Sequence, residues 1–190
     1  KHLVTTGAEG YTPSPETAGT DFIKMHDGKN IDYTTAHIWI QNWGWYDPQK
    51  HDSTYAGAKE KMMAYLNRHA AESKQLGKPF VLEEFGIMKD EGEFEPTATT
   101  RNRDAYYQAV FEGVWSLVQK GEASGVNFWA WGGEGRPKIP GTMWQKGDPL
   151  TGDPPHEPQG WYSVYDIDSS THKVILDYSG RFRSFEKGVK

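Results

Sequence analysis

A parallel α/β architecture is what this sequence predicts, on three observations. Short apolar runs alternate along the chain with two long amphipathic segments, 53–76 and 103–120. Each run is followed by a polar or glycine-rich loop. The resulting order is strand, weak helix, strand, helix, strand, helix, strand, long loop, helix, or about four βα units, which implies a parallel sheet with right-handed crossovers. A closed barrel of eight such units takes ~250 residues, so a chain of 190 residues supplies half of one.

Leu3 to Thr6 reads as a first short strand closed by Gly7, with Glu9-Gly10 opening the loop after it. Pro13, Pro15, Gly19 and Gly28 mark that loop, and one helical turn is expected around 21–25. Tyr33 to Ile40 is the second strand. Within it Thr35, His37 and Trp39 share a parity and therefore a face. An aromatic loop follows, with Trp43, Trp45 and Tyr46.

From Ser53 to Leu76 the residues Ala58, Met62, Tyr65, Leu66, Ala70 and Leu76 recur at helical spacing. Ser53 or Thr54 is the expected cap and Gly77 the stop. The next strand, Phe80-Val81-Leu82, is apolar enough to be buried on both faces and runs into Glu83-Glu84-Phe85-Gly86. After a polar loop over 89–100, a second helix shows a stripe of Tyr107, Val110, Phe111, Val114, Leu117 and Val118, and Gly121 ends it. The charges on both long helices read as solvated faces.

Val126 to Trp131 is the last strand, with Asn127, Trp129 and Trp131 on one face. The segment from Gly132 to Asp166 is a long Gly- and Pro-rich loop, whose Trp144, Trp161, Tyr162 and Tyr165 argue against disorder. Ser169 or Ser170 then caps a final helix through Val174, Ile175 and Tyr178.

Composition narrows the function. A formal net charge of −5 offers no basic face for nucleic acid. No apolar run reaches membrane-spanning length, and the absence of cysteine removes disulfide and thiolate chemistry. Eight Trp and ten Tyr are a heavy aromatic load. Such rings form the apolar platforms, with polar edges, on which sugars stack. The chain opens at Lys1 with no initiator Met and runs directly into a strand, so it is expected to be a piece of a longer protein.

Two carboxylates at the end of an apolar strand need a reason, because buried acids are almost always paired. In a parallel barrel that position is the mouth, where catalytic groups are placed. Alternation lets only one of Glu83 and Glu84 face the mouth. Glu84, beside Gly86, is the candidate catalytic carboxylate, and a structural acid paired with a basic neighbour is the other reading.

Glu83-Glu84-Phe85-Gly86, Asn127-Phe128-Trp129-Ala130-Trp131-Gly132-Gly133 and the loop from Gly152-Asp153-Pro154-Pro155-His156-Glu157-Pro158-Gln159-Gly160 to Tyr165 together resemble glycoside hydrolase family 5, and within it the endo-β-1,4-mannanases. The resemblance covers the whole chain as one domain, residues 1–190, the C-terminal half of a (β/α)8 TIM barrel carrying strands five to eight. It implies that Glu84 is the nucleophile of a retaining glycosidase and that His37 is the active-site histidine. It also implies that Trp39 stands where the family usually has a Tyr, removing a phenolic hydroxyl near the reacting sugar. Trp129 and Trp131 share the sugar-platform position, with either able to carry it.

Trp43, Trp144 and Arg136 are further candidates for substrate contact, set against loop packing for the Trp residues and a local ion pair between Arg136 and Glu134. No metal or organic cofactor is required, since two carboxyls suffice for the chemistry. The family's acid/base follows an Asn at the end of strand four, and no Asn-Glu pair occurs in this chain. Glu9 is the only substitute at hand, and it matches a structural acid. The resemblance therefore implies a fragment with a nucleophile but no acid/base, acting on mannan or glucomannan once completed. A β-glucan hydrolase of the same family and a non-catalytic carbohydrate-binding fragment are the alternatives. The expected partners are the polysaccharide and either the upstream half barrel or a second copy of this chain. A polymeric substrate implies secretion or display at the cell surface or periplasm. Hydrogen bonds from neighbouring donors are expected to keep the Glu84 pKa low.

Overall fold

The computed structural model describes residues 2–12 and 20–188. Pro13, Pro15 and Gly19, expected in the first loop, lie outside the described residues. The strands are β1 (Thr34–Ile38), β2 (Phe80–Phe85), β3 (Gly125–Val126), β4 (Trp131–Gly133) and β5 (Val164–Tyr165), and the helices are α1 (Phe22–His26), α2 (His51–Leu76), α3 (Arg101–Gln119) and α4 (Ser169–Gly188). β1, β2 and β3 form a parallel sheet in that order, and β4 pairs with β5, also in parallel. This is the architecture of part of an α/β barrel. Among the described residues no helix is long and apolar enough to cross a membrane.

The helices pack on the sheet through the stripes read from the sequence. Met62 and Leu66 of α2, Val110 and Val114 of α3, and Phe80 and Leu82 of β2 are fully buried in one core. Burying each such side chain stabilises the fold by roughly 1.5–3 kcal/mol. α4 closes the outside of α3, with Tyr178 stacked on Phe111 at 5.4 Å and Phe182 edge-on to Trp115. Gly77 ends α2 in the left-handed conformation at φ 67°.

Several expectations are corrected. Residues 3–6 do not form a regular strand. They run beside β1 through Asp32 N to Val4 O (2.7 Å) and Thr5 Oγ1 to Tyr33 O (2.9 Å), with Leu3 and Val4 exposed. Among the described residues no strand lies on their far side, so nothing completes a ladder there. Val81 is likewise half-exposed rather than buried, because the sheet face turned away from the helices meets no opposing strands among the described residues.

Ser53 and Thr54 are not caps. Asp47 caps a single 3-10 turn at 48–50 through Gln49 N, α2 begins directly after it, and both hydroxyls fold back onto Lys50 O. Arg103 is no solvated charge. It is completely buried, with Nη2 at 2.5 Å from Asp168, which Lys89 Nζ also reaches at 2.5 Å. Burial raises the Asp168 carboxyl, but Arg103 and Lys89 outweigh it and hold Asp168 below its usual range. Burial pushes the Lys89 ammonium below the usual lysine range. This triad ties the loop after β2 to the start of α4.

The expected strand from Val126 to Trp131 is divided. The ladder with β2 ends at Val126, and Trp131 belongs to the second sheet, beside Val164. The Trp129–Ala130 peptide is cis. The long segment to Asp166 is ordered by turns, with β5 near its end.

Candidate active site

Glu84 owes its position to a slip in register. Ala36 pairs with Leu82 but His37 pairs with Glu84, so Glu83 is the extra residue of a bulge. His37, itself buried, is thereby flanked by both acids. Its Nε2 lies 3.2 Å from Glu83 Oε2 in a hydrogen bond, and its Nδ1 lies 3.2 Å from Glu84 Oε2, out of line for one. Only Glu84 of the two acids faces the cavity at the end of the sheet.

That cavity, about 430 Å³, is lined by Glu9, Trp39, Asn42, Trp43, Glu84, Trp129, Pro154, His156, Glu157 and Tyr162. Trp39 meets Trp129 edge-on at 6.3 Å and Tyr162 at 5.2 Å. These three rings form a continuous aromatic wall. Trp129 is held from behind by its N–H to Phe85 O (2.8 Å) and by Tyr107 Oη donating to its carbonyl (3.2 Å). Gly86 makes this approach possible, since a Cβ there would lie 2.5 Å from the Trp129 carbonyl oxygen. Across the mouth, the Tyr162 hydroxyl donates to Asn42 Oδ1.

The electrostatics differ from expectation. Glu84 sits above the usual carboxylate range, chiefly through burial; His37 pulls it down, while Glu83 and Glu9 push it further up. Among the described residues no donor in hydrogen-bond geometry offsets the desolvation, so the low pKa expected from the sequence is corrected. Glu157 is raised too, by burial and then by Asp153 and Glu84, against the pull of His156. Its Oε2 is buried and has no hydrogen-bond partner among the described residues.

Of the residues singled out in the sequence, the structure brings together Glu84, His37, Trp39, Trp43 and Trp129, and keeps three apart. Trp131 is 58 % exposed and lies against His172 of α4 at 5.3 Å, outside the cavity, because it belongs to β4 rather than to a continued β3. Trp144 does not line the cavity, and its Nε1 bonds Asp148 O within its own turn (3.1 Å). Arg136 is engaged locally by Asp166, the Gly133 carbonyl (3.0 Å) and the Tyr165 ring. Asn42, His156, Glu157 and Tyr162 are cavity residues that the sequence did not single out. Their signal was faint, because each sits in a loop with no periodicity, and only the clustering of aromatic and acidic residues hinted at them.

A family model described as glycoside hydrolase family 5 β-mannosidase-like matches residues 1–187. Mannan endo-1,4-beta-mannosidase 5 of Arabidopsis thaliana is 29% identical over 144 residues, 68% of this chain and 31% of that enzyme. Mannan endo-1,4-beta-mannosidase A of Podospora anserina is 28% identical over 69% of this chain and 30% of its own length. The crystal structure of a family 5 mannosidase from Rhizomucor miehei superposes with a TM-score of 0.86 at 39% identity, covering 98% of this chain and 45% of that one. An endo-β-1,4-mannanase from Thermotoga petrophila shares the fold at TM-score 0.60 and 23% identity. The chain thus spans about a third of these curated relatives and under half of the Rhizomucor enzyme. With the model match running through nearly every residue, the chain belongs to glycoside hydrolase family 5, in its β-mannosidase-like group.

Proposed function

We propose that this chain is the C-terminal half of a retaining glycoside hydrolase that cleaves β-1,4-mannosidic linkages, with Glu84 as its nucleophile. The observation that carries the reading is the seating of Glu84 in a cavity walled by Trp39, Trp129 and Tyr162, with His37 behind it. Stacking rings hold a pyranose face, and a carboxylate beside them reaches its anomeric carbon.

In a double displacement, a Glu84 oxygen attacks the anomeric carbon as the glycosidic bond breaks. The departing oxygen takes a proton from a second carboxyl, and water then cleaves the glycosyl ester with that same group acting as base. Such a partner must stand roughly 5–5.5 Å from the nucleophile. We assign it to an upstream half barrel, which also covers the open sheet face and the exposed Leu3 and Val4. Pairing with a second copy would close the strands but would bring no acid/base of the required kind. His37 and the sugar-facing Trp39, Trp43 and Trp129 serve as substrate-positioning groups. A polymeric substrate places the enzyme outside the cytoplasm.

Mannan endo-hydrolysis is the main reading, because the curated relatives are mannan endo-1,4-β-mannosidases. A second reading, removal of single mannosyl units from chain ends, is favoured by the higher identity to the Rhizomucor mannosidase, a form of which was solved with mannosyl-fructose. Initial products from mannohexaose separate the two: oligosaccharides of intermediate length without mannose for the first, mannose with mannopentaose for the second.

The nucleophile assignment is tested by treating the completed enzyme with an activated 2-deoxy-2-fluoro-mannoside and mapping the labelled peptide. A label on Glu84 supports the proposal. A label elsewhere, or cellulose hydrolysed in preference to mannan, overturns it.

A further inference from the structure

The loop that supplies Pro154, His156, Glu157 and Tyr162 to the cavity has no regular secondary structure, yet it is tightly organised around two buried polar side chains. Asp153 is 5 % exposed and Gln159 is 4 % exposed. Asp153 Oδ1 accepts the Tyr162 N–H at 2.6 Å, and Oδ2 accepts both the Gly160 N–H at 2.8 Å and the Ser163 hydroxyl. Ser163 Oγ in turn accepts Gly152 N–H at 2.9 Å, closing the base of the loop. Gln159 works from inside. Its Nε2 donates to the carbonyls of Pro154 (2.9 Å) and Glu157 (3.0 Å), and its Oε1 accepts the Thr151 hydroxyl (2.7 Å).

The geometry points to Asp153 as a positioning residue, one that never touches the sugar but folds 153–163 into a preformed wall and so sets where Glu157 and Tyr162 stand in the cleft. Three donors converge on one buried carboxylate, which satisfies backbone N–H groups that a loop without a ladder would otherwise leave unpaired. An acid is suited to this place because all the partners donate. Asparagine would turn an amide N–H toward one of them, and alanine would strand all three. Preorganisation of this kind is expressed as binding, since an unpinned loop must be ordered each time substrate enters.

The kinetic consequence rests on the mannosidase reading proposed above, whereas the loop geometry does not, and the experiment keeps them apart. Asp153→Ala, Asp153→Asn and, as control, Asp148→Ala in a neighbouring turn are made in the enzyme completed by its upstream half. Hydrogen exchange is followed at the Gly160 and Tyr162 amides and at core amides of Leu66 and Val110. Kinetics are measured on manno-oligosaccharides.

The expected result for Asp153→Ala is at least hundredfold faster exchange at Gly160 and Tyr162 with core exchange unchanged. KM should rise at least tenfold with kcat within threefold of the parent. Asp153→Asn should fall between the two, and Asp148→Ala should match the parent. Retained protection at both amides, or an unchanged KM with protection lost, overturns the inference. Loss of core protection in both Asp153 variants also overturns it, because Asp153 would then be a general folding residue. If the parent turns over no mannoside, the function reading fails and the exchange result alone decides the role of Asp153.

Discussion

His37 Nδ1 lies 3.2 Å from Glu84 Oε2 at the one point where β1 and β2 slip in register. The bulge is what allows one imidazole to reach two successive carboxylates, an arrangement that strict alternation forbids. It also makes the ionisation of Glu84 depend on named neighbours.

Removing those neighbours should move the acid limb of kcat/KM in opposite directions. As the proposed nucleophile, Glu84 must be ionised to attack, and its pKa is raised by burial, lowered by His37 and raised by Glu83. His37→Ala removes the neighbour that pulls the Glu84 pKa down and should shift the limb to higher pH. Glu83→Gln removes a like charge and should shift it lower. pH–rate profiles of the completed enzyme decide this, and a shift of the same sign in both variants contradicts it.

The two tryptophans of the last strand region should separate cleanly. Trp129 lines the cavity and Trp131 does not. Trp129→Ala should weaken manno-oligosaccharide binding by on the order of tenfold, about 1.4 kcal/mol, while Trp131→Ala leaves it within twofold of the parent. Calorimetric titration of an acid/base-disabled enzyme checks both.

The buried triad of Arg103, Asp168 and Lys89 should dominate single-site stability losses. Asp168→Asn leaves two buried cations uncompensated, and Arg103→Met removes a guanidinium that also donates to Ser163 O at 3.0 Å. Each should cost about 3–5 kcal/mol. Urea unfolding measures it, and a loss under 1 kcal/mol in both would show that the triad is not an anchor.

Acid should unfold the chain partly through His69. This residue is fully buried and neutral in the fold, with Nδ1–H donating to Tyr65 O (2.7 Å) and Nε2 accepting Tyr11 N–H (3.0 Å). Burial pushes its pKa down to about 4. The unfolded chain, with an ordinary histidine near ~6.5, then binds the proton more readily than the folded one. The contribution is fully present above ~6.5 and is lost as pH falls toward 4, on the order of 3 kcal/mol in all. His69→Gln should flatten that part of the stability–pH curve. An unchanged slope between pH 6.5 and 4 would contradict the assignment.

How much of this was legible in the sequence follows from where periodicity exists. α2 and α3 were readable because Met62, Leu66, Val110 and Val114 repeat at helical spacing, and Gly77 and Gly121 mark their ends. Glu84 was readable because an acid at the end of an apolar strand is anomalous. The bulge was not, since nothing in Leu82-Glu83-Glu84 announces a register slip. Arg103 looked like a surface charge because its partners, Asp168 and the Ser163 carbonyl, are far away in sequence. Trp131 was misplaced because alternation was carried past the end of a strand that stops at Val126. The cavity wall from Pro154 to Tyr162 was hidden for a different reason: its order comes from side-chain hydrogen bonds of Asp153 and Gln159, which have no sequence period.

The central claim, that Glu84 is one member of a divided catalytic pair, is tested most directly by hydrolysis of soluble mannan by the purified 190-residue chain, with intact mass excluding any upstream fragment. No turnover is expected from the chain alone, and turnover is expected once the upstream half is supplied, which Glu84→Gln then abolishes. Mannan hydrolysis by the chain alone at the rate of the completed enzyme would contradict it.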